Sequence, residues 1–225
     1  METMKQIMYG VTDFARIRAE NGYFVDRTAL IRELEKTSYA MFLRPRRFGK
    51  SLLCSILQCY YDIDYAGRFE EFFGGLDIGR EPTAERGKYL FIDFNFTGVE
   101  KRIDRVQDSF NEYCSERLDV FVERQAGRLP EGTTAAVLAK RTCHEKFNTL
   151  TMRLKGSGLA LYITIDEYDN FTNTILAESR ESYEALCHGD GFFKQFFNEL
   201  KLATTGTDAP VTRLFVTGVT PVTMD

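Results

Sequence analysis

The run Leu159-Ala160-Leu161-Tyr162-Ile163-Thr164-Ile165, fed by the turn Lys155-Gly156-Ser157-Gly158, constrains the fold more than any other stretch of the chain. It is too short for a globular helix, and its nearly unbroken apolarity leaves neither face of a strand for water. It therefore predicts an inner strand of a parallel sheet, covered on both sides. Apolar runs at about 40–43, 89–94 and 213–217 read as further strands. Helical periodicity lies between them: apolar positions 52, 53, 56, 57, 60 and 61 mark a helix over 50–61. Long helices are expected over about 100–124, 133–153 and 178–203, the last burying Phe192, Phe193, Phe196, Phe197 and Leu200. A helix reaching about Glu35, capped by Asp26, precedes the first strand, and a Phe-rich helix occupies 66–76. Strands alternating with helices predict an α/β domain with helices on both faces of a mainly parallel sheet.

Composition narrows the class. Among 225 residues, 44% are hydrophobic, with 19 Phe and 11 Tyr, enough apolar surface to offset chain entropy and exclude wholesale disorder. No apolar run approaches the roughly 20 residues of a membrane-spanning helix, and the first residues lack the apolar stretch of a signal peptide. A cytoplasmic, non-membrane protein is the expectation. Five cysteines (54, 59, 114, 143, 187) contain no CxxC pair, so they signal neither a zinc site nor a disulfide framework and read as small buried hydrophobes. A net charge of −4, from 29 Lys+Arg against 33 Asp+Glu, argues against general coating of nucleic acid while leaving room for a local basic patch.

Two segments carry chemistry. Arg44-Pro45-Arg46-Arg47-Phe48-Gly49-Lys50-Ser51 lies between a strand and a helix, the context a phosphate-binding P-loop requires. Gly49 lets the backbone approach phosphate, Lys50 reaches the β- and γ-phosphates, Ser51 ligates Mg²⁺, and the helix start offers free N–H groups to the anion. The first Gly of the usual pattern is replaced by Arg44, Pro45 stiffens the loop, and Arg44, Arg46 and Arg47 add positive charge. The second segment, Asp166-Glu167-Tyr168-Asp169, ends the best strand, where parallel sheets bind ligands. Asp166 suits Mg²⁺, and Glu167 suits polarising the water that attacks the γ-phosphate. Thr217, at the end of the last strand, is placed to sense phosphate or orient water, or to satisfy the backbone in a turn. Asp93 also ends a strand, as a supporting carboxylate or a turn cap. The expected ligands are ATP and Mg²⁺.

Together with YFVDRT near the start and LFVTGVTP at the end, FLRPRRFGKS and the DE-containing strand resemble the AAA-ATPase-like family of P-loop NTPases over nearly the whole chain. The resemblance implies a three-layer α/β/α domain over 1–225. It gives Lys50 and Ser51 the phosphate and Mg²⁺ roles, Asp166 the metal carboxylate, Glu167 the catalytic base and Thr217 a sensor position. Family members commonly carry a further nuclease-like region, and related ATPases take an arginine from a neighbour, so a missing C-terminal region, a homo-oligomer and nucleic acid are candidate partners. Related ATPases also place another strand beside the phosphate-loop strand. This chain is therefore expected to stop short of its last strand, leaving an exposed edge.

The leading function is ATP binding with Mg-dependent hydrolysis, driving a conformational or nucleic-acid-linked process. One competing reading is a non-catalytic interaction module that uses the 192–197 Phe stripe. A second is a metal-dependent nuclease built on Asp166, Glu167, Asp169 and Asp93.

Overall fold

A computed structural model describes residues 4–222. Among them four strands form one sheet: β1 (Tyr39–Leu43), β2 (Leu90–Asn95), β3 (Leu161–Asp166) and β4 (Val211–Gly218). Their order across the sheet is β1-β4-β3-β2, and every pairing is parallel. The predicted inner strand is β3, buried at all its positions and flanked on both sides. Among the described residues eleven α-helices surround the sheet: α1 (Phe14–Ala19), α2 (Leu30–Leu34), α3 (Lys50–Tyr61), α4 (Phe69–Phe73), α5 (Asp77–Arg80), α6 (Val106–Arg124), α7 (Thr133–Leu138), α8 (Cys143–Leu154), α9 (Asn170–Glu178), α10 (Arg180–Cys187) and α11 (Phe192–Ala203).

Strand side chains alternate between two cores, as period-two pleating demands. Phe91, Tyr162 and Phe215 face a layer built from α1 to α5, joined by Phe14, Leu57, Tyr60, Tyr61, Phe72 and Phe73. Leu90, Ile92, Phe94, Leu161, Ile163 and Ile165 face the layer of α6 to α11, where Phe110, Phe147, Phe171, Phe193 and Phe196 pack. The result is the expected three-layer α/β/α arrangement around a parallel sheet. β1 pairs only with β4, so its other edge carries no strand among the described residues, and Tyr39 and Met41 stand exposed there.

Several local expectations are corrected. Asp26 does not cap α2: that helix begins after Ala29 without a side-chain cap, and the Asp26 carboxylate instead accepts from the Thr28 amide and hydroxyl and from the amide of Asp77, the first residue of α5. It ties two distant segments together. The expected helix from about 100 starts at Val106. The 133–153 stretch is two helices, α8 opening with a capping box between Thr142 and Glu145. The 178–203 stretch spans the last residue of α9 and two further helices: Ser179 caps α10, and α11 starts after Gly191. The Phe-rich 66–76 segment is a 3₁₀ turn (Ile63–Arg68) leading into α4.

One buried carboxylate sets a pH dependence. Asp62, which ends α3, is fully buried, accepts from the Asp64 amide at 3.1 Å and stands 3.5 Å from Arg124. Burial pushes its acid from 3.8 up to about 6, against the pull of the Asp64 amide and of Arg124. A raised folded-state value means that the fold is stabilised while Asp62 is protonated and loses that contribution as pH rises towards 6. Asp62→Asn is therefore expected to gain up to ~3 kcal/mol on the wild type between about pH 4 and pH 7, read from denaturation midpoints. Parallel pH profiles for the two proteins would refute this assignment.

Candidate functional site

The site lies at the carboxyl end of the sheet, where the loops after β1, β3 and β4 meet. The loop after β1 turns sharply: Arg47 and Gly49 take positive φ of 69° and 76°. Glycine adopts this conformation without strain, which lets α3 begin directly at Lys50. No side chain caps the helix there, so the first N–H groups of α3 lack both an intrahelical acceptor and a cap.

Lys50 points inward. Its side chain is only 3% exposed, and its Nζ lies 3.3 Å from Glu167 Oε1 while donating to the Pro45 carbonyl at 3.4 Å. The next residue reaches the same place: Ser51 stands beside Asp166 on the wall of one small cavity, its hydroxyl favouring the ionised Asp166 carboxylate. Thus the two motifs, 116 residues apart in sequence, meet pairwise, Lys50 with Glu167 and Ser51 with Asp166.

The acidic segment is held firmly. Asp166 is buried; its Oδ2 accepts from Asn95 Nδ2 at 3.2 Å and its Oδ1 from the Glu167 amide at 3.0 Å. Burial raises the Asp166 acid above the usual carboxylate range; the Ser51 hydroxyl pulls it down, and the charges of Glu167 and Asp93 raise it further. Glu167 has φ of 53°, a left-handed conformation that costs a non-glycine residue energy and concentrates at functional positions. Thr217 pairs with Phe42 of β1 across the sheet, and its Oγ1 is a buried hydroxyl with no hydrogen-bond partner.

Not every expected residue converges. The Arg44 guanidinium folds back over the Phe42 ring at 5.0 Å and donates to the Leu43 carbonyl. Arg46, Arg47 and Phe48 are exposed on the loop. Asp93 lies within β2, where it accepts from the Thr164 hydroxyl at 2.6 Å, so it caps no turn. Asp169 is turned away from Lys50 and consumed elsewhere: it accepts from the Val219 and Thr220 amides, the Thr220 hydroxyl and Asn173 Nδ2.

Sequence reasoning missed two features. Asn95 belongs to the site because β2 runs one residue further than expected and pairs it with Asp166. A cavity of about 240 Å³ opens beside Ser51 and Asp166, walled by Asp13, Ser55, Asp93 and Asn95. Asp13 comes from the segment before α1, which is anchored when the Phe14 amide donates to the Ser55 hydroxyl at 2.8 Å. No pattern in the early sequence announces that placement.

With this geometry described, comparison with known proteins decides the class. A family model described as "Predicted AAA-ATPase" matches residues 8–225. The chain belongs to the AAA-ATPase-like family. No curated protein and no solved structure matches it. Family membership suggests a nucleotide-binding or hydrolysing role, and the four-stranded parallel sheet is consistent with a P-loop NTPase-like fold. Among the described residues no helix is long and apolar enough to cross a membrane.

In this AAA-ATPase-like chain the segment after β4 is clamped to the acidic loop. Besides the Asp169 bonds, the Tyr168 hydroxyl donates to the Thr220 carbonyl at 2.7 Å and accepts from the Val222 amide at 2.8 Å. Gly218 makes the clamp possible, since a Cβ there would meet Asp169 Oδ1 at 2.4 Å and the Tyr168 ring at 2.5 Å. Gly218→Ala is expected to cost about 1–3 kcal/mol by overpacking, seen as a lowered melting temperature. An unchanged melt would show that the clamp yields freely.

Proposed function

We propose that this domain binds a nucleoside triphosphate with Mg²⁺ and hydrolyses it. The observation that supports this most is the pairwise meeting of Lys50 with Glu167 and of Ser51 with Asp166 at an uncapped helix start. An uncapped N-terminus with a buried lysine is a ready-made site for a polyphosphate.

The donor set fits a magnesium ion. Ser51 and Asp166 present one hydroxyl and one carboxylate side by side, and Mg²⁺ takes one or two carboxylates together with phosphate oxygens and water. Among the described residues no group of three or more His, Cys, Asp or Glu could hold a metal ion. The ion, when bound, draws charge off the β- and γ-phosphate oxygens.

The remaining chemistry belongs to the chain. Lys50 exchanges the Glu167 carboxylate for phosphate oxygens, which frees Glu167 to accept a proton from the attacking water. Asn95 keeps Asp166 oriented, and the Thr217 hydroxyl, unpartnered within the fold, is available to the γ-phosphate or to that water. Hydrolysis at this site would drive an unidentified conformational or nucleic-acid-linked process.

The competing readings find less support. Phe193 and Phe196 are buried in the α6–α11 core, so the stripe is not an exposed docking face. Asp169, one of the carboxylates a nuclease would need, is saturated by the clamp.

Calorimetric titration with ATP and Mg²⁺ tests the proposal. Lys50→Ala is expected to bind at least about tenfold more weakly, because it removes a charge-assisted phosphate contact. Equal affinity in both proteins, or no heat from either at millimolar nucleotide, would overturn it.

A further inference from the structure

A cavity of about 410 Å³ lies far in the sequence from the phosphate loop, among α6, α8 and α11. Phe110, Phe147 and Phe192 give it apolar walls, and Asn111, His144 and Glu199 polar ones, with His144 Nδ1 3.6 Å from Glu199 Oε1. Cys143 is part of this lining and is the first residue of α8. Its thiol neighbours that of Cys114, which is completely buried on α6 in the same core.

The contact is held by the backbone. Asn111 Oδ1 accepts from the Cys143 amide at 2.7 Å, and Asn111 and Cys114 lie three residues apart on one face of α6. That bond pins the start of α8 against the turn of α6 that carries Cys114. The arrangement has one thiol at a cavity wall and its neighbour sealed behind it.

We infer that Cys143 and Cys114 form a peroxide-oxidisable dithiol, with Cys143 the thiol that meets the oxidant through the cavity and Cys114 the one that closes a disulfide. The Cys143 thiolate attacks one oxygen of hydrogen peroxide; the O–O bond breaks, a Cys143 sulfenic acid forms and hydroxide leaves. The Cys114 sulfur then attacks the sulfenic sulfur, the S–O bond breaks, and the Cys114 proton leaves with the oxygen as water. In sum, two thiols give two electrons and two protons to one peroxide, yielding a disulfide and two waters.

The chemical environment agrees with that division of labour. The Cys143 thiol is held below the ordinary thiol range, chiefly by its Cys114 neighbour, against its own burial and with help from the His144 and Cys143 amides. Burial pushes Cys59 up to about 12 and Cys187 up to about 11, and it raises Cys54 and Cys114 well above the usual value. Burial thereby keeps the other four thiols from being the first to meet the oxidant as thiolates.

Peptide mapping of the reduced wild-type chain after brief exposure to hydrogen peroxide tests the inference without any substitution. The expected first product is the Cys114–Cys143 cross-linked peptide, forming at least about tenfold faster than oxidation at Cys54, Cys59 or Cys187 and reverting with dithiothreitol. Cys114→Ser is expected to stop at a Cys143 sulfenic acid that dimedone captures. A different cysteine reacting first, a different pair joining, or no dimedone adduct on Cys143 in folded Cys114→Ser would overturn the inference. If that variant does not fold, the wild-type map alone decides.

Discussion

Glu167→Gln is expected to keep Mg-ATP binding close to that of the wild type while turnover falls by about 10²–10⁴-fold, the usual worth of a positioned general base. Gln has the same length and retains a carbonyl oxygen for Lys50 Nζ, which lies 3.3 Å from Glu167 Oε1, so the pocket should keep its shape. What the amide lacks is the ability to take a proton from water. Phosphate release in a single turnover, measured beside calorimetric binding, separates the two effects. Undiminished release would remove Glu167 from the chemistry. The positive φ of Glu167 offers a second comparison, because glycine adopts that conformation without strain. Glu167→Gly should lose turnover as severely as Glu167→Gln while relieving the backbone, so a turnover defect shared by both variants cannot be ascribed to a strained fold.

Phe96→Ala should carry the largest stability cost in the molecule, about 3–5 kcal/mol. The ring is fully buried and meets six others: Phe94, Phe110, Tyr113, Phe171, Phe193 and Phe196, at centroid separations of 5.1 to 6.4 Å. It follows directly on β2, and its carbonyl accepts from Asn170 Nδ2 at 3.3 Å, so the cavity would open between the sheet, α6, α9 and α11 together. Against a total stability of about 5–15 kcal/mol for a typical domain, that loss is a large share. Phe48→Ala, on an exposed loop residue, is the control, expected within about 0.5 kcal/mol of wild type. A cost at Phe96 as small as the one at Phe48 would mean that the surrounding rings collapse to fill the void.

The strands and the helix α3 were legible because they rest on local signals: nearly unbroken apolarity from Leu159 to Ile165 and 3.6-residue spacing over Lys50–Tyr61. The two motifs were legible for the same reason, each being a short segment after a strand. Where partners are distant, the sequence is mute. Asp26 looks like the cap of α2 until the Asp77 amide, 51 residues on, is seen to take its carboxylate. Asn95 gains meaning only from the register that sets β2 beside β3. Asp169 resembles a metal ligand by its neighbours Asp166 and Glu167, yet its oxygens are spent on Val219 and Thr220. The break between α10 and α11 was within reach, since Gly189 and Gly191 interrupt the chain there, but the apolar spacing on either side hid it.

The clamp across Tyr168, Asp169, Thr220 and Val222 also determines a direction. After Gly218 the backbone leaves the sheet along a path set by two side chains standing one and two residues from Glu167. A shift of Glu167 on losing its lysine partner would therefore turn that exit path with it. The carboxylate facing Lys50 and the heading of the polypeptide beyond β4 are two readings of the same short loop.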